Sequence, residues 1–546
     1  MTRFKLFLVG MGAMWLASGA LAACGGDDSS NTDASDSGNT TDGKKPDVVQ
    51  PQDTGTDVQN VKPNGTELAP SDGVQIFGVT DDDDVIYADN SQGQALYAVP
   101  SGGGTAVKIG SPTGYAVGIH RKVVFVWSGL TSKGVGILSI WQHGGTLTQI
   151  TSKSAPNGGF AASPDGKHII YTANSDVNGA VGDIFGANSD ASGQTSLVTG
   201  VDIASGNNCT PRLGIVTNTS AITSTCTTTP GDGGTPSATV TSWTLGAGGD
   251  AGTTWTSASI VTAALNFWST DTAGDKVLVA TPAGLQVCTF PTPICVPGEA
   301  KNIENNFWTF GYMNQAGTSV LYSTAAGDLR TATTALPAVG SVVQGSNVNF
   351  VRAVSADDQT IMFTKTFDTQ QFGGDLYITS TAGGAPAATT LVGTQTGALF
   401  GVSSRDDFTA DSKYAVWIAN LNTQQGLGDL MAVPVAGGTP KQFATGEWQN
   451  VTATGTKIVF NDNCVGCSGT GGTGVAYADI KVVDVATTNA PTMLQAGCDV
   501  PLVAGGNSLY LSKDKTKLVY AYSQNAPASS GVPAAGGNGL YSIAIP

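Results

Sequence analysis

Apolar residues along this chain occur in short runs, separated by clusters of glycine, asparagine, aspartate, serine and threonine. Val277-Leu278-Val279, Ile361-Met362-Phe363 and Ile458-Val459-Phe460 are examples. Short apolar runs bounded by turn residues predict β-strands. A long amphipathic pattern with helical spacing does not occur in the sequence. The pattern therefore predicts an all-β chain.

Many of these strands follow one kind of turn. In Ser163-Pro164-Asp165-Gly166-Lys167, proline fixes φ at the second turn position and Asp-Gly favours a tight reversal, before the apolar residues Ile169–Tyr171. Related turn–strand units recur along the chain, at residues 80–87, 273–279, 316–322, 355–363, 409–417, 454–460 and 512–520, with a looser copy at 120–126. The chain is therefore built from repeats.

A second strand follows most of these units, as in Gly182-Asp183-Ile184-Phe185 and Gly428-Asp429-Leu430. A glycine-rich hairpin such as Ala436-Gly437-Gly438 then leads to a third strand. Successive turn–strand units are separated by 38 residues (85 to 123) to 60 residues (458 to 518). A period of about 40–50 residues with several strands in each repeat is typical of propeller blades.

The Ser-Pro-Asp-Gly-Lys turn, its strand and the later Gly-Asp-Leu-Tyr strand resemble the repeats of TolB-like β-propellers. The resemblance spans roughly residues 70–546 and is clearest at 158–190 and 350–445. It implies four-stranded blades packed radially around a central channel; a β-sandwich or a β-helix array is the alternative. Nine or ten units are recognisable, including a weak one near Arg212–Thr217. One large ring, two adjacent rings or a ring with half-blades would accommodate them.

The N-terminus has the features of a secretory leader. Thr2-Arg3-Phe4-Lys5 is basic, residues 6–21 are apolar, and Leu21-Ala22-Ala23-Cys24 follows. The apolar run is shorter than the roughly 20 residues that cross a bilayer. Leu-Ala-Ala-Cys resembles the lipobox of bacterial lipoproteins. The resemblance implies that residues 1–23 are a signal peptide, that Cys24 is lipidated, and that the membrane is a partner through this cysteine.

The residue after the cysteine bears on location. In lipoproteins of this kind an aspartate at this position often signals retention at the inner membrane, and this chain has Gly25. We therefore expect a cell-envelope protein, at the outer membrane rather than the inner one.

Residues 24–70 predict a tether. They consist mainly of Gly, Asp, Ser, Thr, Asn and Pro, and the segment from Cys24 to Asp72 has a net charge of −7. So polar a segment cannot bury enough apolar surface to offset its ordering entropy. We expect residues 24–70 to be disordered, and residues 71–546 to form the propeller.

The net charge of the chain limits which other partners it can bind. The whole chain has a formal charge of −16 with only 12% charged residues. Nucleic acids and anionic membrane surfaces are bound by clustered Lys and Arg. The composition therefore argues against a nucleic-acid partner, and against an acidic membrane face.

Seven cysteines remain in the body. Exported proteins favour disulfides, and the candidates are Cys209, Cys226, Cys288, Cys295, Cys464, Cys467 and Cys498. Cys209 with Cys226 and Cys288 with Cys295 are natural pairs. One disulfide among Cys464, Cys467 and Cys498 would leave one of these three as a free thiol. Cys464-Val465-Gly466-Cys467 has redox or metal-binding spacing. No histidine follows it for haem, and no second Cys-x-x-Cys is present for zinc. A structural disulfide is the favoured interpretation.

The sequence offers little for catalysis. Its three histidines are His120, His143 and His168, and the last two lie in repeat turns. No Gly-x-Ser-x-Gly, His-Glu-x-x-His, phosphate loop or dinucleotide motif occurs. We therefore predict no catalytic residues, no metal and no cofactor.

Together these features predict a lipid-anchored envelope protein whose propeller binds a protein or glycan partner without catalysis. Loops near residues 463–476 and 523–538 are the expected contacts. The alternative is a lyase or hydrolase of extracellular polysaccharides or peptides, with carboxylates from distant blades meeting in the channel.

Overall fold

A computed structural model of the chain describes residues 63–71, 73–203, 212–215, 217–227, 237–246, 255–264, 266–281, 284–289, 294–300, 310–324, 327–335, 340–345, 348–368, 373–382, 390–397, 407–422, 427–447, 449–465, 476–487, 490–500, 509–522 and 538–546. These residues form ten antiparallel sheets, nine with four strands and one with three. Two 3₁₀ turns, Asn90–Gln92 and Pro156–Gly158, are the only helical elements of the described part. No helix within these ranges is long and apolar enough to span a membrane.

The sheets are the blades of a propeller, numbered here in chain order. The first strand of the chain, β1 (Thr66–Pro70), belongs to the last blade. Blade 1 consists of β2 (Val74–Val79), β3 (Asp84–Asp89), β4 (Ala95–Pro100) and β5 (Val107–Gly110), and blade 2 of β6 (Ala116–His120), β7 (Val123–Ser128), β8 (Gly136–Trp141) and β9 (Thr148–Ser154). Blade 3 consists of β10 (Phe160–Ala162), β11 (His168–Ala173), β12 (Val181–Asn188) and β13 (Thr195–Asp202), and blade 4 of β14 (Arg212–Ile215), β15 (Ser220–Thr227), β16 (Ser237–Leu245) and β17 (Trp255–Ala264). Blade 5 consists of β18 (Asn266–Thr270), β19 (Lys276–Thr281), β20 (Gly284–Thr289) and β21 (Ile294–Ala300).

The later blades follow the same plan. Blade 6 consists of β22 (Phe310–Met313), β23 (Ser319–Ser323), β24 (Leu329–Thr333) and β25 (Ser341–Gln344), and blade 7 of β26 (Val348–Val354), β27 (Thr360–Asp368), β28 (Gly373–Ser380) and β29 (Thr390–Gly397). Blade 8 has three strands, β30 (Tyr414–Asn422), β31 (Leu427–Pro434) and β32 (Lys441–Glu447), and blade 9 consists of β33 (Asn450–Thr452), β34 (Lys457–Val465), β35 (Ala476–Asp484) and β36 (Thr492–Val500). Blade 10 consists of β37 (Tyr510–Leu511), β38 (Lys517–Tyr522), β39 (Gly539–Ala544) and β1. In blade 8 the innermost position is a single bridge between Phe408 and Ala415.

The blades form one ring. The first strands of neighbouring blades contact each other, as β2 does with β6 and β6 with β10, so these strands line the centre. Blade 10 packs on blade 1 through a cluster that includes Leu68, Val85 and Leu540. The prediction of an all-β propeller with four-stranded blades is confirmed, and of the alternatives one large ring is correct rather than two adjacent rings.

The apolar core is divided into layers between blades. Phe125 and Trp127 of blade 2 pack with Ile169 and Tyr171 of blade 3, and all four are at most 1% exposed. Similar clusters join the other neighbours, and blades 4 and 5 meet through β17 and β19. The apolar turn–strand units predicted from the sequence are the second strands of their blades, which are buried on both faces. This is why they carry the strongest apolar signal.

The body begins earlier than residue 71. Thr66–Pro70 pairs with β39 and forms the outermost strand of blade 10, and its Leu68 and Ala69 are buried. Five residues assigned from composition to the tether are therefore part of the propeller. The leader and residues 24–62 of the predicted tether lie outside the described residues.

Candidate interaction surface

The ring has two ends that differ in construction. Connections from first to second strand and from third to fourth strand lie at one end, which we call the turn end. Connections from second to third strand, and from one blade to the next, lie at the other, which we call the loop end.

The turn end repeats one hydrogen-bonded turn. In blade 3 the Ser163 hydroxyl donates to Asp165 Oδ1 (2.6 Å), and the Lys167 and His168 N–H groups donate to Asp165 and Ser163. The same pattern links Ser355 with Asp357, Thr409 with Asp411, and Ser512 with Asp514. The residue after each aspartate has a positive φ, near 76° at Gly166. This explains the Asp-Gly of the best-preserved repeat.

Adjacent turns are joined around the ring. Gln142 Nε2 donates to Gly166 O (2.6 Å), joining blades 2 and 3, and the Lys513 N–H donates to Asp83 Oδ1 (2.8 Å), joining blades 10 and 1. Comparable hydrogen bonds cross every other junction in the described ranges except that between blades 4 and 5. The turn end is therefore hydrogen-bonded from blade to blade at nine of its ten junctions in the described ranges.

Two of these aspartates, Asp165 and Asp514, have pKa values lowered by the hydrogen bonds of their turns. Burial acts to raise the pKa of Asp165, but hydrogen bonds from Ser163 and the Lys167 N–H outweigh it and leave that pKa lowered. Hydrogen bonds from the Ser512 and Thr516 hydroxyls and the Thr516 N–H lower the pKa of Asp514 to about 2. Each carboxylate therefore folds back onto its own turn in ionised form.

Acid should weaken these turns. Because the pKa of Asp514 is lower in the folded chain than its ordinary 3.8, its stabilising contribution is complete above that value and is lost as the pH falls towards about 2. We expect the thermal midpoint of Asp514→Asn to lie below that of the unmodified chain at pH 7, with the difference vanishing near pH 2. Lys515→Gln, which leaves the turn hydrogen bonds intact, should keep the original pH profile. A constant difference down to pH 2 would contradict this assignment.

The Asp81–Asp84 run is only partly a solvated turn. Asp81 and Asp82 form ion pairs with Lys513 and Lys122, but Asp84 is 2% exposed. His143 Nδ1 lies 2.7 Å from Asp84 Oδ2. Burial raises the pKa of Asp84, while the His143 hydrogen bond opposes the rise. Asp84 is therefore a buried part of this turn, held by its contact with His143.

All three histidines make structural contacts. Besides the contact of His143 with Asp84, His120 Nδ1 accepts the Ala162 N–H (3.0 Å), and His168 Nδ1 lies 3.1 Å from Asn188 Oδ1. Burial, reinforced by the charge of Arg121, lowers the pKa of His120, so its imidazole is neutral and accepts that hydrogen bond. The histidines contribute to contacts within and between blades.

Several polar side chains are buried at the loop end, beneath the connections between strands. Glu447, Gln449, Asn450 and Asn461 are each at most 1% exposed, at the loop end of blades 8 and 9. Next to them Lys481 Nζ lies 2.6 Å from Asp462 Oδ2. Burying such groups is costly unless they are hydrogen-bonded or paired. Sequence reasoning missed this cluster because its residues share no motif and polar residues beside loops are expected to be exposed.

The Gly-Asp motif of the third strands also has a role at the loop end. Asp183 accepts hydrogen bonds from Asn174 Nδ2 and the Gly200 N–H, each 2.8 Å long. In blade 8, Asp429 accepts from Asn420 Nδ2 (2.6 Å). Asn174 and Asn420 both have positive φ, near 50°. The motif thus fixes the chain where the second strand ends.

The channel wall contains few ionisable groups. The nine innermost strands, β2, β6, β10, β14, β18, β22, β26, β33 and β37, contain no aspartate or glutamate. Arg352 on β26 donates to Asp407 of blade 8 (2.8 Å). No group of three or more His, Cys, Asp or Glu side chains in the described ranges has the geometry of a metal site. Asp407 precedes Phe408 at the innermost position of blade 8, so the described wall holds a carboxylate there, paired with the Arg352 guanidinium.

The cysteines predicted to form disulfides differ in their positions: two of them face each other on neighbouring strands, and others do not. Cys288 on β20 is buried and lies directly opposite Cys295 on β21. Cys226 lies on β15 opposite Ala238. Cys464 on β34 and Cys498 on β36 are separated by β35, a geometry that disfavours a direct bond between them. Cys24, Cys209 and Cys467 lie outside the described residues.

We predict a disulfide between Cys288 and Cys295. Cys288 is disulfide-bonded in the structure, and directly opposed residues in antiparallel strands have Cβ atoms about 4.5–5.5 Å apart, which makes Cys295 the expected partner. Peptide mapping without reduction should recover one linked peptide containing both cysteines. Recovery of both as free thiols from a sample kept oxidised would refute the pairing.

The fold defines the class of this protein, a ten-bladed β-propeller closed by its N-terminal strand. No family model and no curated protein sequence matches the chain. Solved structures similar to it include a eukaryotic initiation factor, with 11% identity, a TM-score of 0.44, and coverage of 70% of this chain and 90% of that one.

Two further solved structures are similar to the chain. The β-propeller domain of the Trilobed protease from Pyrococcus furiosus has 11% identity and a TM-score of 0.29, covering 70% of this chain and 98% of that one. A putative TolB from Agrobacterium tumefaciens has 13% identity and a TM-score of 0.24, covering 44% and 86%. Similarity this low carries no inference about activity.

Proposed function

We propose that the protein is a lipid-anchored envelope protein that binds a protein or glycan partner through the loop end of its ring and performs no catalysis of its own. The observation that carries the proposal is the difference between the two ends. The turn end is joined by hydrogen bonds from blade to blade, whereas the loop end carries the longest connections of the chain. A rigid scaffold with variable loops at one end is a common basis for binding sites.

The two predicted contact loops belong to the same end. Residues 463–476 and 523–538 lie almost wholly outside the described residues, but the strands they join do not. Val465 and Ala476, and likewise Tyr522 and Gly539, are the loop-end termini of their strands. The buried polar cluster around Glu447 and Asn461 lies at this end of blades 8 and 9. Loops from neighbouring blades 9 and 10 would thus contribute to one surface.

The described inner strands bear on the alternative of a channel hydrolase. A glycosidase-like mechanism requires two carboxylates facing one bond, and the described inner strands supply none. The lipid anchor rests on Leu21-Ala22-Ala23-Cys24, and an outer-membrane location rests on Gly25.

Replacing residues 466–475 by a short glycine linker should reduce capture of the partner from solubilised envelopes at least tenfold, because the loop would supply contacts but little core. The thermal midpoint should change little. The matched control replaces the turn-end connection 435–440 with the same linker and should retain capture. Turnover of a glycan or peptide by the purified protein, abolished by mutating a carboxylate, would overturn the proposal.

A further inference from the structure

One ion pair between blades contains a group that changes its charge near neutral pH. His143 lies in the turn between β8 and β9 of blade 2, and its Nδ1 is 2.7 Å from Oδ2 of Asp84, the first residue of β3 in blade 1. Lysine supplies the cation in the neighbouring pairs of Lys122 and Lys513. Lysine keeps its charge throughout the neutral range, whereas imidazole titrates within it.

The two partners are buried to different degrees. The side chain of Asp84 is 3% exposed and that of His143 is 61% exposed. Burial raises the pKa of Asp84, and the contact with His143 opposes the rise without cancelling it. The ionised carboxylate of Asp84 is therefore costly in the folded chain, and a charged imidazole offsets part of that cost.

The other charged groups near Asp84 do not compensate its charge. The surrounding turns carry Asp81, Asp82 and Asp83 on blade 1, Arg121 and Lys122 on blade 2, and Lys513 on blade 10. The charges of Asp82 and Asp83 raise the pKa of Asp84 further. Lys122 is paired with Asp82, and Lys513 with Asp81. Within the described ranges, His143 is the cationic group that contacts the Asp84 carboxylate.

The contact is one of several that hold the β8–β9 hairpin. The Asp81 N–H donates to Arg121 O across the same junction, and an apolar cluster beneath also joins blades 1 and 2. On its other side the hairpin is bound to blade 3, since Gln142 Nε2 donates to Gly166 O. Weakening the His143 contact would thus loosen the hairpin from blade 1 and leave the ring closed.

We propose that the contact of His143 with Asp84 is pH-sensitive, and that it holds the β8–β9 hairpin against blade 1 while the imidazole is charged and weakens as the pH rises. The interaction requires both charges, and an imidazole ordinarily loses its proton near pH 6.5. Above that pH the buried carboxylate of Asp84 is left without a cation, so its cost is no longer offset. The direction is opposite to that at Asp514, whose turn is weakened by acid.

Hydrogen exchange of the hairpin amides measures this contact locally. The Gly145 N–H donates to Gln142 O (2.9 Å), so its exchange requires the hairpin to open. Protection is expressed relative to the unfolded chain at the same pH, which removes the intrinsic pH dependence of exchange. In the purified full-length chain, protection of residues 141–148 should fall about tenfold between pH 6 and pH 9, because a hydrogen-bonded ion pair changes a local equilibrium by a factor of this order.

Three variants identify the groups responsible. His143→Gln should have the lower protection at both pH values, because glutamine carries no charge. Asp84→Asn removes the buried charge and should have equal protection at pH 6 and pH 9. Lys122→Gln is the matched control, since it breaks another ion pair of the same junction. The hydrogen bond to Asp82 raises the pKa of Lys122, so this pair does not titrate in the range, and the variant should retain the pH dependence of the hairpin.

Equal protection of the unmodified hairpin at the two pH values would overturn the proposal, and so would a pH dependence that persists in His143→Gln. Peptides of β23 and β24 in blade 6, remote from this junction, should keep the same protection at both pH values. An equal fall there would also overturn the proposal, because it would show that the whole ring loosens at alkaline pH.

Discussion

A mature chain shortened to begin at residue 71 is expected to unfold at a much lower temperature than one that begins at residue 63. The shorter chain loses β1 and with it the pairing to β39, the buried Leu68 and the Asn64 hydrogen bonds to blade 9. Loss of a buried leucine side chain alone costs about 2–5 kcal/mol. The ring would also lose its closure, because β1 is continuous in the chain with blade 1 and is hydrogen-bonded to β39 of blade 10.

Thermal unfolding and limited proteolysis of the two truncated chains measure this effect. Leu68→Ala in the longer chain serves as the intermediate case, since it removes one side chain and keeps the strand. Equal midpoints for the chains starting at 63 and 71 would mean that β1 does not close the ring.

Gly118→Val should be the most damaging single substitution on the inner strands. Gly118 lies opposite Phe125, and a Cβ built there would be 2.3 Å from Cζ of Phe160. The Phe160 ring is held 4.7 Å from that of Phe125 and 5.1 Å from that of Trp127, measured between centroids. The ring cannot move aside without disturbing the layer between blades 2 and 3. Overpacking of this kind costs roughly 1–3 kcal/mol.

A double-mutant cycle isolates the cause. Phe160→Ala is destabilising alone, but combined with Gly118→Val it should cost less than the two separate changes together, because the valine then occupies the vacated space. Chemical denaturation of the four proteins gives the coupling energy. Strict additivity would show that the contact with Phe160 is not the reason for glycine at this position.

Much of the fold was predictable because its strongest signals are local. The second strands are buried on both faces, so strands such as Ile169–Tyr171 and Ile361–Phe363 read as continuous apolar runs. The Ser/Thr-x-Asp turns satisfy their own hydrogen bonds within five residues, and they remain recognisable wherever they occur. The inner strands were not predicted. They are short and half-buried, and Phe160–Ala162 and Tyr510–Leu511 have no pattern of their own.

The sequence by itself determined the all-β class, the repeated blade, the Ser/Thr-x-Asp turn that begins several second strands and the lipobox-like Leu21-Ala22-Ala23-Cys24. Only the tertiary structure decided that ten blades close into one ring and that Thr66–Pro70 belongs to blade 10. It also decided that Asn64, Gln495 and Tyr520 meet, and that buried polar residues gather near Glu447. The physical reason is the separation in sequence between the residues that contact each other. Turn and strand preferences are satisfied by neighbours in sequence, whereas ring closure and the Asn64 contacts join residues 431 to 456 positions apart, whose pairing leaves no periodic mark in the chain.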